Sequence, residues 1–192
     1  MKILSIDGGG VRGLIPGMVI VEIEKRMGKP ISELFDLISG TSAGGHIALA
    51  LATPGADGKP KWSAPELAAY YREAYGRIFD NSGFKVLDVL KGITSERYSA
   101  DGIDTALTEI FGEAKLSEAL VEVLITAFEV ERGEPHFFLR SEARENPRKD
   151  HLMSFVARAT SAAPTYFEPA AKFNDEEGMA FLDGAVFANN PS

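Results

Sequence analysis

Two short glycine-rich stretches place polar groups where a reaction could use them. They are IDGGGVRGL (6–14) and GTSAG (40–44). The second fits the pattern G-x-S-x-G, which sets a serine on a sharp turn between a strand and a helix. Gly40 and Gly44 remove side-chain clashes at such a turn and leave the Ser42 hydroxyl exposed near the positive end of the following helix. The pattern favours Ser42 as a nucleophile, and a glycine-flanked helix cap is the alternative.

The first stretch holds three successive glycines, which are costly to order unless their backbone N–H groups are used. Gly8, Gly10 and Gly13 fit G-x-G-x-x-G, the dinucleotide fingerprint, so nucleotide binding is one interpretation. That fold needs an acidic residue at the far end of its second strand, whereas Asp36 comes early in the predicted one. A phosphate-binding P-loop would need a following Gly-Lys-Ser/Thr, which the sequence lacks. We therefore favour an oxyanion hole, in which N–H groups stabilise charge developing on a carbonyl oxygen.

A nucleophilic serine needs a general base, and the chain offers three histidines and one aspartate as candidates. His46 follows the serine turn, His136 adjoins a predicted strand and His151 opens a predicted helix, and all three fit structural roles. No histidine follows the last acidic motif, which disfavours the Ser–acid–His order of α/β-hydrolases. Asp183 ends a predicted strand and precedes Gly184, so in a parallel sheet it would open on the same edge as the serine. Taken alone, an aspartate before a glycine is more typical of a turn.

The composition excludes several classes of protein and favours a globular domain. The 192 residues are 45% hydrophobic and 25% charged, which indicates one globular domain with a sizeable core. A net charge of −8 argues against nucleic acid as a partner and gives no attraction to anionic membranes. Without cysteine there is no disulfide or thiol nucleophile. Lacking a signal peptide or membrane-spanning run, the chain is predicted to be cytoplasmic, with unconventional export left open.

Strands alternate with helices along the chain, which predicts an α/β domain with a mostly parallel central sheet. The predicted strands span residues 2–6, 34–39, 121–129, 136–139 and 179–182. The predicted helices span residues 14–27, 46–53, 63–79, 99–112 and 150–162. The apolar stretch GFKVLDVLKGI (83–93) is interpreted as a core helix or connecting segment, with contact to a lipid aggregate as the alternative.

Three motifs in their order along the chain resemble those of the patatin-like phospholipases. They are DGGGVRG (7–13), GTSAGG (40–45) and DGA (183–185). The stretches ARATSAAPTYFEP (157–169) and ANNP (188–191) are also similar to that family, so the resemblance spans nearly the whole chain. It implies a three-layer α/β/α fold and a lipid acyl hydrolase, of phospholipase A or lysophospholipase type, with a Ser–Asp dyad and no metal or cofactor.

By this resemblance Ser42 is the nucleophile that forms an acyl-enzyme, and Asp183 is the general base. The oxyanion hole would use Gly8, Gly9 and Gly10. Arg12 would hold the loop by pairing with an acidic group, or contact lipid phosphate. The supporting motif positions are Gly13, Gly40, Ala43, Gly44 and Gly184. The substrate would be a glycerolipid or phospholipid, reached by transient contact with a membrane or micelle surface. Whether an activating partner or small-molecule effector is needed stays open.

Two other functions remain open at this point. One is a catalytically idle module of the same fold that binds or senses an effector, against which the intact serine, aspartate and glycines argue. The other is a nucleotide-binding protein built on G-x-G-x-x-G. The sequence stops nine residues after Asp183, where members of the family continue with further helices. We expect residues 1–192 to form a single catalytic domain that is truncated at its C-terminus.

Overall fold

A computed structural model describes residues 1–80, 100–173 and 178–192, so the apolar stretch 83–93 lies outside the described residues. The strands are β1 (Ile3–Ile6), β2 (Leu37–Gly40), β3 (Glu122–Glu129), β4 (Glu134–Leu139), β5 (Ala170–Phe173) and β6 (Gly178–Asp183). The α-helices are α1 (Leu14–Met27), α2 (Ile31–Leu34), α3 (Ala43–Ala52), α4 (Ala64–Asp80), α5 (Ala100–Phe111), α6 (Arg140–Glu145), α7 (Met153–Thr160) and α8 (Ala185–Ala188). Short 3-10 turns cover Gly10–Gly13, Leu116–Glu118 and Pro147–Lys149.

The six described strands form one mixed sheet. β1, β2 and β3 pair in parallel, β4 and β6 each pair antiparallel to β3, and β5 pairs antiparallel to β6. Four of the six strands, β1, β2, β3 and β5, therefore run in the same direction. Helix α3 packs against β1, β2 and β3, and α7 packs against β3, β5 and β6. The prediction of an α/β fold with a mostly parallel sheet flanked by helices is confirmed.

The edge of β3 opposite β4 is shared by two strands that meet end to end. β4 pairs with β3 along 124–129, so it occupies one edge of β3 over that length. β2 pairs with 122–125 and β6 with 127–129, so both must lie on the other edge. Gly40, at the carboxyl end of β2, is opposite Ile125, and Asp183, at the carboxyl end of β6, is opposite Ala127. The two carboxyl ends face each other because the strands run in opposite directions. The parallel arrangement that we expected for them is wrong.

Helix α3 supplies the centre of the core. Its sequence AGGHIALALA is apolar on nearly every side, and all of its residues except His46 are buried. A helix that is apolar all round is stable only when its neighbours cover it, as β1, β2 and β3 do here. The serine turn between β2 and α3 therefore leads directly into the most deeply buried helix of the described chain.

Two predicted boundaries are wrong for local reasons. The strand predicted from residue 34 begins at Leu37, because Ile31–Leu34 form α2, whose first N–H donates to the Glu24 carboxylate. The helix predicted from residue 150 begins at Met153, because the Asp150 carboxylate accepts hydrogen bonds from Ser117 instead. Within the described ranges, none of the helices is both long and apolar enough to cross a membrane.

We predict that Gly44→Ala destabilises the fold and that Gly17→Ala, a matched change near the start of another helix, does not. A Cβ at Gly44 would overlap with the carbonyl oxygens of Ile6 and Asp7, which belong to rigid backbone. Overpacking of this kind costs about 1–3 kcal/mol of unfolding free energy. A Cβ at Gly17 has no heavy atom within 4 Å beyond its own helix, and alanine there should add roughly 0.5–1 kcal/mol. Urea denaturation measures both, and equal stability of the two variants would contradict the packing account.

Candidate active site

The turn that presents Ser42 has a backbone conformation that L-residues rarely adopt. Ser42 has φ 54° and ψ −125°, directly between β2 and α3. The neighbouring glycines leave no room for side chains. A Cβ at Gly40 would overlap with the Gly44 carbonyl oxygen, and one at Gly44 would overlap with the end of β1. The G-x-S-x-G pattern therefore occupies the strand-to-helix turn expected of it, with the serine at the apex.

Ser42 and Asp183 are in direct contact. The Ser42 Oγ donates a hydrogen bond of 2.7 Å to Asp183 Oδ2. The other carboxylate oxygen, Oδ1, accepts the Ala185 N–H at 2.8 Å. Asp183 is only 3% exposed. Burial raises the pKa of its carboxyl above the ordinary value, and the hydrogen bonds from Ala185 and Ser42 only partly oppose that rise. The site therefore holds a carboxylate more basic than a free aspartate within proton-transfer distance of a hydroxyl.

The glycine loop lies beside this pair, but its three glycines are not equivalent. The Gly8 N–H donates to the Asn189 carbonyl oxygen at 3.0 Å, so the expectation that Gly8 supplies an oxyanion donor is wrong. The Asn189 side-chain amide returns a bond of 3.3 Å to the Gly8 carbonyl oxygen. Gly9 and Gly10 line the same cavity as Ser42 and Asp183. Gly10 has φ 55°, which suits glycine and turns the chain toward α1.

Arg12 does not form the ion pair with an acidic group that was one of its two expected roles. Its side chain is exposed, and its Nε lies 3.5 Å from the Gly9 carbonyl oxygen. Within the described ranges it forms no ion pair with an acidic group, so it contacts the loop through a carbonyl. Gly13 is buried, and a Cβ there would come within 3.1 Å of the Ala43 Cβ. This close approach seats the glycine loop against the first turn of α3.

Residues outside the three motifs hydrogen-bond to the backbone of Ser42 and Asp183. The Thr160 hydroxyl accepts the Ser42 N–H at 2.9 Å. The Ala162 carbonyl oxygen accepts the Asp183 N–H at 3.0 Å. Both residues belong to ARATSAAPTYFEP, and Asn189 belongs to ANNP, so the resemblance of these two stretches to the family was the signal available in the sequence.

The Ser42 hydroxyl bonds Asp183, and the three histidines have other neighbours. The His46 Nε2 bonds the Ala157 carbonyl oxygen at 2.9 Å, which requires the proton on Nε2. Burial lowers the pKa of His46 to about 4, against the opposing effect of that bond, so its imidazole is neutral at pH 7. His136 packs against the rings of Phe138 and Phe181, and His151 is buried beside Phe138. Their positions agree with the structural roles expected of them.

A cavity of about 360 Å³ opens onto the Ser42–Asp183 pair. Its wall comes from the glycine loop, α4, α5 and the segment after α7. Most of the wall is apolar or aromatic, as in the side chains of Tyr71, Leu107, Ile110, Ala163 and Phe167. Its volume and mostly apolar lining are typical of a binding site for a small ligand with a large apolar part.

The fold and this site together define an α/β protein with a serine–aspartate pair beneath a glycine loop. A family model for the patatin-like phospholipases matches residues 4–192. The chain belongs to the patatin-like phospholipase family, which confirms the resemblance of its motifs.

Individual relatives agree with this assignment. Patatin-like protein 2 of Oryza sativa subsp. indica is 35% identical, over 100% of this chain and 51% of that protein, and Patatin-like protein 2 of Arabidopsis thaliana gives the same values. Patatin-07 of Solanum tuberosum is 32% identical over 97% of this chain and 49% of that protein. The chain thus spans about half the length of these relatives. The crystal structure of VipD from Legionella pneumophila gives a TM-score of 0.49 and 15% identity over 100% of this chain and 47% of VipD.

We predict that His46 causes the free energy of unfolding to decrease as the pH falls. Its pKa is about 4 in the folded state against an ordinary value of 6.5, so the unfolded chain binds the proton more readily. The contribution is complete above pH 6.5 and is lost as the pH falls through about 4. His46→Gln keeps an N–H donor without the titration, so its melting temperature should vary less between pH 7 and pH 4 than that of the wild type. An unchanged pH dependence in the variant would refute this account.

Proposed function

We propose that this chain is the catalytic part of a lipid acyl hydrolase that cleaves carboxylic esters of glycerolipids, of phospholipase A or lysophospholipase type. The observation that carries the proposal is the 2.7 Å hydrogen bond between the Ser42 hydroxyl and the buried Asp183 carboxylate, at the end of an apolar cavity. A hydroxyl becomes a useful nucleophile when a positioned base takes its proton as it attacks.

In the first step, the Ser42 Oγ attacks the carbonyl carbon of the ester while its proton moves to Asp183 Oδ2. The carbonyl π electrons move to the oxygen and give a tetrahedral oxyanion. When this intermediate collapses, the bond to the leaving alcohol breaks, and that alcohol takes the proton from Asp183. The raised pKa of Asp183 favours the first of these transfers, because a carboxyl of higher pKa accepts the serine proton more readily. An acyl-enzyme on Ser42 is left.

Backbone N–H groups beside the cavity would stabilise the oxyanion. Gly9 and Gly10 line the cavity with Ser42, and Ala43 begins α3 immediately after the nucleophile. In α/β-hydrolases the N–H of the residue after the nucleophile also serves this purpose. Since the Gly8 N–H donates to the Asn189 carbonyl oxygen, we give Gly8 a supporting role and propose that N–H groups of the loop residues lining the cavity act as donors.

In the second step, a water molecule attacks the acyl carbon and gives its proton to Asp183. Collapse of the second tetrahedral intermediate breaks the bond to Ser42 Oγ, which recovers the proton from Asp183. The fatty acid leaves and the pair returns to its starting state. Because one carboxylate acts in both halves, neither half requires a histidine.

Exposed apolar side chains next to cavity-lining residues support approach to a lipid aggregate. Three exposed apolar side chains from separate segments adjoin residues that line the cavity: Val11 follows Gly10, Tyr166 lines the cavity itself, and Val186 follows Ala185. Ile15, one turn further along from Val11, is 65% exposed. We call Val11, Ile15, Tyr166 and Val186 the entrance patch. We propose that these exposed apolar groups contact the lipid surface, and a net charge of −8 favours zwitterionic over anionic lipid.

Ile15→Glu should weaken binding to phosphatidylcholine vesicles and lower hydrolysis of vesicle lipid by at least about tenfold, since burying an isoleucine contributes about 1.5–3 kcal/mol. Hydrolysis of a short, monomeric p-nitrophenyl ester should not change. Met27→Glu is the matched control: Met27 is 59% exposed on the same helix, about 18 Å further along its axis at 1.5 Å per residue. Equal losses of vesicle binding in both variants would contradict contact of the entrance patch with lipid. So would an Ile15→Glu variant that disrupts a dimer of the protein and leaves vesicle binding unchanged.

Variants of the pair itself test the reaction. Ser42→Ala should abolish labelling by a fluorophosphonate probe, and mass spectrometry of the wild type should locate the label on Ser42. Asp183→Asn should lower kcat by about 10²–10⁴-fold, the usual contribution of a positioned base. The wild-type rate should fall as the pH drops through the raised pKa of Asp183, because protonation removes the base.

Glu129→Gln is the matched control for Asp183→Asn. Glu129 is also a buried carboxylate on the sheet, and it accepts hydrogen bonds from the Glu131 and Arg132 N–H groups away from Ser42. Its variant should keep the wild-type rate. Full activity in folded Ser42→Ala or Asp183→Asn would overturn the proposed function, and an unlabelled wild type would favour the idle module.

A further inference from the structure

One short segment contacts the backbone of both members of the Ser42–Asp183 pair. Thr160 ends α7, and Ala162 lies two residues beyond it. The Thr160 Oγ1 accepts the Ser42 N–H at 2.9 Å, and the Ala162 carbonyl oxygen accepts the Asp183 N–H at 3.0 Å. Asp183 ends β6 and Ser42 lies two residues after β2, so these two bonds join the ends of two different strands to the same three-residue segment.

The segment itself is rigidly held. Thr160 and Ala162 are fully buried, and Ser161 between them is nearly so. The Ser161 hydroxyl donates to the Ala157 carbonyl oxygen at 2.8 Å, one turn earlier in α7. On the side of α3, a Cβ at Gly45 would approach the Thr160 Cγ2 to 2.8 Å. Gly45, the last glycine of GTSAGG, therefore lets α3 pack closely against Thr160.

The direction of the Ser42 N–H helps to determine the position of the Ser42 hydroxyl. At φ 54° the residue is in a strained region, and such conformations persist only where the surroundings over-determine them. The bond to Thr160 fixes the peptide plane on the N-terminal side of Ser42, and α3 fixes the other side. The direction of the Cα–Cβ bond, and so the position of Oγ, follows from these two constraints.

We propose that Thr160 is a positioning residue and that the Thr160–Ala162 segment is a clasp that sets the separation of the Ser42 hydroxyl and the Asp183 carboxylate. The inference rests on the proposed function for its catalytic consequence, although the clasp itself is a matter of geometry. The Thr160 hydroxyl bonds the backbone of Ser42, and Thr160 is not among the residues that line the cavity, although its neighbour Ser161 is. Loss of its hydroxyl should therefore act on the rate of the chemical step and leave substrate binding in the cavity unchanged.

The experiment compares Thr160→Val with Thr160→Ser in hydrolysis of a monomeric p-nitrophenyl ester. The valine variant keeps the shape and removes the acceptor, and kcat should fall about ten- to hundredfold with KM within a factor of two, since small misplacements of reacting groups cost up to about 10². The serine variant keeps the hydroxyl and should stay within about threefold of wild-type kcat. Should the valine variant not fold, Thr160→Ala is judged by the same criteria.

Thr53→Val is the matched control for a purely structural effect. Thr53 is also a fully buried threonine at a helix end, and its hydroxyl donates to the Leu49 carbonyl oxygen, remote from the Ser42–Asp183 pair. Its variant should lose stability in urea yet keep wild-type kcat. If Thr53→Val and Thr160→Val lower kcat alike, or if Thr160→Ser falls as far as Thr160→Val, the positioning role is overturned.

A measurement without substrate separates this inference from the proposed function. Hydrogen exchange of the Ser42 amide should be slow in the wild type and in Thr160→Ser, and faster in Thr160→Val. A wild type that shows no hydrolysis refutes the proposed function, while the exchange rates still test the clasp. Unchanged exchange together with unchanged kcat in folded Thr160→Val refutes the clasp and leaves the proposed function standing.

Discussion

The hydrogen bond between the Ser42 hydroxyl and the Asp183 carboxylate joins residues 141 positions apart, and the rest of the site depends on how the sheet brings them together. β2 and β6 approach each other along one edge of β3, and their carboxyl ends stop on either side of Thr126. The Thr126 hydroxyl lies 2.7 Å from the Thr41 hydroxyl, and a Cβ at Gly184 would overlap with it. The Ser42–Asp183 pair can form there because only one residue of β3, Thr126, separates the positions at which β2 and β6 end.

Burial has opposite consequences for the two kinds of base near Ser42. Removing a charged group from water disfavours its charged form, so it raises the pKa of a carboxyl and lowers that of an imidazole. Asp183 becomes more basic in this way, while the pKa of His46 falls to about 4. His46 also commits its Nε2 proton to a backbone carbonyl oxygen. One dry environment thus favours the carboxylate as the proton acceptor and leaves the neighbouring histidine neutral.

Much of this site could be predicted from the sequence, because glycine patterns report backbone constraints that are local. The turn around Ser42 and the entry to α1 follow from such patterns. The direction of β6 could not be predicted, since it depends on which edge of β3 is free once β4 has paired. The roles of Thr160 and Asn189 were equally hidden, because each acts through the backbone of a distant residue, and a threonine or an asparagine in a loop has no spacing that reveals such a contact. The bond that commits the Gly8 N–H is hidden for the same reason.

Residues near the C-terminal end of the described chain hydrogen-bond to the glycine loop and to the serine turn. Asn189 bonds Gly8, and the Ala188 carbonyl oxygen accepts the Thr41 hydroxyl at 2.8 Å. Neither the glycine loop nor the serine turn is therefore held by its own segment alone. The strained Ser42 conformation needs support from outside, since an isolated turn would relax to a more common region of φ and ψ. That support comes from the buried α3 on one side and from the end of α7 on the other, so the geometry of the pair is a property of the packed domain and not of either motif.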